Sequence, residues 1–489
     1  MGSIKKNFTY NVVYQVLVVL LPLITAPYIS RTLGSTSVGV YSYTYSVAQY
    51  FLIFAMLGIS NHGNRSIAAV RDDMEKRSRT FWSIYSIQVT TFSVAILLYI
   101  LYVVFIASDN KTVALLQLLY VSSGLFDISW LFFGLEQFKI TVTRNIVIKI
   151  STVVCMFIFV HQPSDLWKYT LIMALGTFIS QSYLWLYVRK KVKFVRISFS
   201  NIKPNIKPIL ILFVPVIAYS IYKVMDKVML GNMSDYDQVG YYQSAEKIIN
   251  IPTGVITALG TVMLPRMSNL IATGNTSKSN QYIRVSFKLV TTIGAAIAFG
   301  LIGVTNVLTP VYFGSEFLPT APLITLLSIT VFFMAWANVI RTQYLIPYGM
   351  DKVYLLSTIT GAVLNLIINA LLIPQYQAVG AAIGTIVAEF SVMFVQVVAV
   401  RKKLPVGRYF ASVIPVMIIG LVMTVVVRII GNQMSVSILT LVVQIGTGAI
   451  VYLSLLALYL YLSKDEMWRY LINIITDFWR KLKTYTRGN

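Results

Sequence analysis

Long apolar runs, separated by gaps that are alternately basic and nearly uncharged, constrain this chain more than any short motif in it. A hydrocarbon layer of about 30 Å is crossed at 1.5 Å per residue. A spanning helix therefore needs roughly 20 mostly apolar residues, with every amide bonded internally. About fourteen such windows fit: near 8–30, 38–60, 81–106, 112–134, 144–160, 167–188, 208–230, 240–263, 285–308, 320–340, 353–373, 378–400, 409–430 and 436–462. With 57% apolar residues and a mean hydropathy of +0.74, too little polar surface is left for a soluble globule. The pattern predicts an all-α polytopic membrane protein. Prolines at 22, 27, 215 and 252 predict kinks, because each removes an amide from the ladder.

Forty basic residues stand against seventeen acidic ones, a net charge of +23. The excess falls in every second gap: Arg65 to Arg79, Arg189 to Lys207, Arg266 to Lys288 and Arg401 to Arg408. The opposite gaps are short and hold little beyond Arg31, Lys111, Lys168 and Arg428. The positive-inside bias then places both termini in the cytoplasm. Anionic membrane lipids account for the charge, and without a basic soluble domain nucleic acid is excluded as a partner. Lys5 and Lys6 precede a run too long for a signal peptide, which reads as the first span. The single cysteine, Cys155, allows no internal disulfide. Beyond Ser463, Trp468, Leu471, Ile475, Phe478 and Leu482 at helical spacing predict an interfacial amphipathic tail.

Two stretches repeat a pattern. Pro27 to Tyr41 holds Arg31, Leu33-Gly34, Val38-Gly39 and Tyr41, while Pro215 to Tyr242 holds Lys227, Leu230-Gly231, Val239-Gly240 and Tyr242. Each ends the first span of a six-span half and begins the second. This predicts two pseudo-symmetric six-helix lobes, as in transporters built from repeats, plus two extra helices. The expected divisions are 1–207 (first lobe with its basic linker), 208–405 (second lobe), 406–463 (spans 13 and 14) and 464–489 (tail).

Gly58 to Asp72 (GISNHGNRSIAAVRD), Trp130 to Lys149 (WLFFGLEQFKITVTRNIVIK), Met263 to Ser268 (MLPRMS) and segments between Gln343 and Glu389 (QYLIPYGMDKVY, GAVLNLIINALLIPQYQAVGAAIGTIVAE) resemble the polysaccharide flippases. These are the O-antigen and capsule repeat-unit translocases of the multidrug/oligosaccharidyl-lipid/polysaccharide exporter superfamily. The resemblance implies a V-shaped two-lobe helical fold in a bacterial cytoplasmic membrane. It also implies movement of an undecaprenyl-diphosphate-linked oligosaccharide to the outer leaflet by alternating access. Polymerase and export machinery would be partners of such a protein. Flippases of teichoic-acid or peptidoglycan lipid precursors, and a drug or cation antiporter of the same fold, remain alternatives.

A phosphate-bearing head crosses hydrocarbon only through a wet cationic cavity, since an isolated buried ion is prohibitive. Candidates for holding it are Lys223, Asp226 and Lys227, which share a face of span 7, with Glu246 and Lys247 on span 8 and Arg31 as the repeat partner. Lys227 is close enough to the span end to snorkel, whereas Lys223 lies deeper. Asn11, Tyr14 and Gln15, the Tyr41/Tyr45/Gln49 stripe, and Tyr219 with Tyr222 are candidates for lining the cavity or stacking on sugar. Asp127 and Glu389 are isolated intramembrane carboxylates, open either to proton or sodium coupling or to a structural hydrogen-bonding role. No cofactor and no metal site is expected. There is no Walker lysine, no nucleophile elbow and no metal-spaced histidine pair, so an enzyme is not expected.

Overall fold

The computed structural model describes the backbone of residues 2–107 and 109–464, and all of their side chains except those of 2–20, 222 and 412. The amphipathic tail and the side chains of Asn11, Tyr14, Gln15 and Tyr222 therefore lie outside the described residues. In chain order the helices of the first half are α1 (Gly2–Met56), α2 (Ile59–Ala69), α3 (Met74–Phe105), α4 (Lys111–Ser123), α5 (Ser129–Gly134), α6 (Phe138–Phe159), α7 (Leu166–Tyr183), α8 (Trp185–Val188) and α9 (Phe199–Met233). The second half holds α10 (Tyr236–Ala272), α11 (Thr276–Tyr312), α12 (Thr320–Ser328), α13 (Thr330–Ile340), α14 (Asp351–Val400), α15 (Val406–Gln433) and α16 (Ile438–Leu462). No strand occurs among the described residues.

Twelve helical stretches are long and apolar enough to cross a membrane. Two of them, Leu21–Ala69 with 49 residues and Asp351–Val400 with 50, are long enough for two passes each. Both are broken near the middle: α1 leaves helical φ/ψ at Gly34 (φ 77°), and α14 does so at Gln377 (φ 50°). Two breaks of this kind reconcile about fourteen expected windows with twelve candidate spans among the described residues. Helical φ/ψ continues through Pro22, Pro27, Pro215 and Pro252, so the large departures within α1 and α14 sit at a glycine and a glutamine rather than at the expected prolines.

The chain divides into two compact units. The first comprises residues 1–245 and 358–388. Its largest core packs Phe81, Phe92, Trp130, Phe132, Ile59 and Ile67 beneath α2, α3 and α5. The fourth apolar window is not one helix here, because a 3-10 turn (Gly124–Phe126) and an extended Asp127 separate α4 from α5. Carbonyls freed by that break need donors in a dry interior. Gln88 supplies them, its amide donating to the Gly124 carbonyl at 2.7 Å and the Asp127 carbonyl at 2.9 Å, while Trp130 Nε1 donates to its Oε1 at 3.1 Å.

The repeated segments meet each other within this unit. A Cβ on Gly39 would overlap the Tyr236 carbonyl, and one on Gly240 would overlap the Ser35 carbonyl. Each glycine thus faces the carbonyl four residues upstream of the other, the reciprocal form that a local two-fold produces. Asp237 adds hydrogen bonds from Ser35 Oγ (2.5 Å) and Thr36 Oγ1 (2.7 Å), and Tyr43 donates to Asn232 at 3.0 Å.

The second unit comprises 246–357 and 389–489. Here α15 and α16 pack on α11, so the two extra spans join this unit's core through Ala295, Val304, Val416, Met423, Val427, Tyr452 and Leu456. Thr424 donates to the Phe299 carbonyl and Tyr452 to the Thr292 carbonyl, each at 2.7 Å. After α13 the chain widens into a single π turn, Arg341–Leu345, with Gln343 fully buried.

Glycine substitutions separate close approach from mere helix propensity. Gly39→Ala is expected to cost about 1–3 kcal/mol by overpacking and to lower the melting temperature of the purified protein. Gly254→Ala, where an added Cβ meets nothing within 4 Å, is expected to leave it unchanged or raise it. Equal melting shifts in the two variants would contradict the packing assignment.

Candidate functional site

Within the first unit, the intramembrane charges gather around Asp226. Its place on α9, one turn beyond Lys223 and beside Lys227, follows from the helical spacing of the three. The carboxylate is 4% exposed. Oδ1 accepts from Asn369 Nδ2 at 2.6 Å, and Oδ2 accepts from Tyr242 at 2.6 Å and from Thr385 at 2.9 Å. Four helical segments converge there: α9, the start of α10, and both arms of α14. The break at Gln377 is what folds the second arm of α14 back, bringing Thr385 to the same carboxylate as Asn369. Gly380 permits the arms to touch, since a Cβ there would sit 2.6 Å from the Leu372 carbonyl. Gly384 likewise leaves room for the Asn369 side chain.

A buried carboxylate loses several kcal/mol of hydration. Hydrogen bonds to a charged group recover about 1.5–3 kcal/mol each, so three of them offset a large part of that loss. Two polar atoms of the cluster have no hydrogen-bond partner, Asn369 Oδ1 and Asn365 Nδ2. Buried unsatisfied atoms of this kind mark places where water or an ion completes the network. The oxygens of Asp226, Asn365, Asn369 and Thr385 form a hard, all-oxygen donor set, which fits a proton or a monovalent cation. Among the described residues no group of three or more His, Cys, Asp or Glu could hold a metal ion.

The cationic neighbours differ in depth. Lys227 is buried, Lys223 is part-buried, and Arg31 is exposed on α1 just before the Gly34 break. Lys227, expected to snorkel, is thus the more enclosed of the two lysines. Glu246 and Lys247 are part-buried and fall in the second unit, where Glu389 is also buried at 3% exposed. Asp127 sits in the break of the fourth window, accepting from the Ser129 amide at 3.0 Å at the start of α5. That geometry is the one of a turn-capping acid. Tyr41 stacks on Tyr45 (5.8 Å between centroids) and edges onto Tyr169, while Tyr45 meets Tyr120 at 4.7 Å, making an aromatic ladder between α1, α4 and α7. Gln49 is part-buried below it, and Tyr219 is half-exposed on α9.

Tyr242, Asn365, Asn369 and Thr385 were absent from the residues that sequence reasoning singled out for the site. Asn365 and Asn369 carried a usable signal: two amides one turn apart in an otherwise aliphatic span, where polar side chains are rare.

Comparison with known proteins places this geometry in a family. The family described as polysaccharide biosynthesis protein matches residues 4–271. A protein named "Putative O-antigen transporter" from Escherichia coli strain K12 is 24% identical over 413 residues, 82% of this chain and 97% of that protein. One of the same name from Shigella dysenteriae is 25% identical over 277 residues, 56% of this chain and 68% of that protein. Among solved structures, the lipid II flippase MurJ in an inward closed conformation superposes with a TM-score of 0.75 at 14% identity, covering 93% of this chain and 99% of that one. An inward-facing multidrug resistance MATE family transporter of the MOP superfamily gives 0.58 at 12% identity, over 82% and 98% of the two chains. The fold is therefore that of the flippases and exporters of this superfamily, and the chain belongs to the polysaccharide biosynthesis protein family.

Proposed function

We propose that this protein is a flippase that carries a polyprenyl-diphosphate-linked oligosaccharide from the cytoplasmic to the outer leaflet of a bacterial cytoplasmic membrane. The observation that carries the reading is the Lys223–Asp226–Lys227 face of α9, a largely buried charged cluster on the helix that continues from the apolar span Phe199–Ile221, in a chain with the exporter fold. Intramembrane charge is costly and is kept where it handles a polar substrate or ion. A diphosphate oxygen 4 Å from an ammonium gains about 4 kcal/mol at an effective dielectric of 20, enough to hold the head without trapping it. The prenyl tail meanwhile stays in lipid. The name of the Escherichia coli relative supports an oligosaccharide on a lipid carrier as the cargo.

Within this reading the three charges divide their work. Lys223 and Lys227 attract the phosphates. Asp226 is already occupied by neutral donors and would repel an anion, so it serves as the coupling and positioning group rather than a headgroup ligand. A proton or monovalent cation held by Asp226 and the neighbouring amide and hydroxyl oxygens would supply the exchangeable charge. With the basic gaps facing the cytoplasm, an inside-negative potential also favours outward movement of the anionic head, by about 2.3 kcal/mol per charge per 100 mV.

Two measurements test these roles in cells that depend on this protein for delivery of the lipid-linked repeat unit. Replacing Lys223 or Lys227 with Gln is expected to reduce delivery about tenfold or more in at least one variant, the equivalent of about 1.4 kcal/mol, at unchanged protein level. Wild-type delivery in both would remove the lysines as phosphate ligands. Asp226→Asn is expected to leave protein level intact while abolishing the response of transport to an imposed proton or sodium gradient. A variant that keeps the wild-type gradient response would show that Asp226 only holds helices together.

A further inference from the structure

At one end of α6 and α7, outside the Asp226 cluster, lies a cavity of about 350 Å³ lined by Lys139, Ile140, Thr143, Arg144, Val147, Ile148, Tyr183 and Tyr187. Its polar groups are unusual for a crevice in a span. Arg144 is 6% exposed, held by amide oxygens: Asn145 Oδ1 accepts from Nε at 3.1 Å and Nη2 at 2.8 Å, and Gln181 Oε1 accepts from Nη1 at 3.0 Å. These amide oxygens orient the guanidinium. Exposed Lys139 adds a second cation, and the Tyr183 and Tyr187 hydroxyls lie 2.8 Å apart across the opposite wall.

The direction in which the cavity opens can be read from the helices that form it. On α6, Val147, Ile150, Val154 and Ile158 are exposed at spacings of three and four, and on α7, Leu175, Ile179 and Tyr183 are exposed at spacings of four. In a membrane protein such stripes face lipid. Lys139 and Thr143 extend the α6 stripe, and Tyr183 with Tyr187 ends the α7 stripe just before exposed Arg189 and Lys190 and part-buried Lys191. The cavity therefore sits where two lipid-facing stripes reach the headgroup level, at the basic end of the bundle.

We propose that this cavity is a binding site for the headgroup of an anionic membrane phospholipid. The phosphodiester would lie between Lys139 and Arg144, which suit charge-assisted hydrogen bonds to phosphate oxygens. The tyrosine hydroxyls would meet the glycerol and ester oxygens. Ile140, Val147 and Ile148 would line the first segment of an acyl chain running down the stripe. A free anion would use the cations alone and leave those apolar walls uncovered, so the amphipathic lining selects a lipid. The proposal does not depend on the transported cargo, since every lining residue belongs to α6, α7 or α8 and the site needs no opening between conformations.

Melting of the full-length purified protein in detergent, with defined additions, tests it. Phosphatidylglycerol is expected to raise the melting temperature by several degrees, as a ligand of the folded state does, while phosphatidylcholine and inorganic phosphate at the same concentration have little effect. Lys139→Gln and Tyr187→Phe are expected to lose at least half of the phosphatidylglycerol shift. Arg144 also ties α6 to α7 through Gln181, so the exposed Lys139 and Val147 carry the test instead. Val147→Trp, which fills the cavity from the lipid side, is expected to abolish the shift. Equal shifts in wild type and Lys139→Gln, or protection by inorganic phosphate alone, would overturn the proposal. So would protection confined to undecaprenyl phosphate, because the cavity would then take the carrier lipid rather than bulk phospholipid.

Discussion

Hydrocarbon offers no partner to a free amide or carbonyl, and polar side chains reach from one helix to the backbone of another. Gln88 fills the gap between α4 and α5, donating to two carbonyls that the break at Asp127 releases. Tyr99 donates to the Ala114 carbonyl at 2.7 Å, and Thr424 and Tyr452 do the same for carbonyls of α11. These polar contacts cost more to leave unmade than they gain when made. They therefore specify which helices are neighbours, in a setting where apolar contact between helices is no better than contact with lipid.

The class of fold was legible because that same constraint acts on single residues in the chain order. Twenty apolar residues in a row admit few other readings. Boundaries were less legible. The fourth window reads as one span, yet it is two short helices around Asp127, since Gln88 can satisfy the break only from another helix that no local pattern reveals. The expectation of kinks at Pro27 and Pro215 rested on local chemistry. The largest backbone departures lie elsewhere, at Gly34 and Gln377, where the chain folds back between passes.

The site was half legible for a related reason. Charges in an apolar run announce themselves, so Lys223, Asp226 and Lys227 stood out. The hydrogen-bond donors to Asp226 are neutral: Tyr242, Asn369 and Thr385 lie up to 159 positions away, and only the folding of α14 upon itself makes them one cluster. Tyrosine faces carried the opposite ambiguity. Tyr41 and Tyr45 have the spacing of a sugar platform, but the rings of Tyr120 and Tyr169 take up part of their faces.

Residues 236–242 join the contact between the repeated segments to the carboxylate cluster. Within two turns of α10, Asp237 and Gly240 face α1 at Ser35, Thr36 and Gly39, Gln238 Oε1 accepts from the Ala378 amide at 3.4 Å, and Tyr242 donates to Asp226. The contact between the repeated segments and the carboxylate cluster are thus opposite faces of one short helical stretch. Gly39 and Gly240 allow no side chain between them, so that contact is either closed or separated, with little room for intermediate packing. Anything that changes what Asp226 binds acts on Tyr242, and through one turn of rigid helix on the glycine contact. In the ion-coupled cycle proposed above, the path from Asp226 to the glycine contact would be about six residues long, by the spacing of Asp237 and Tyr242 along α10.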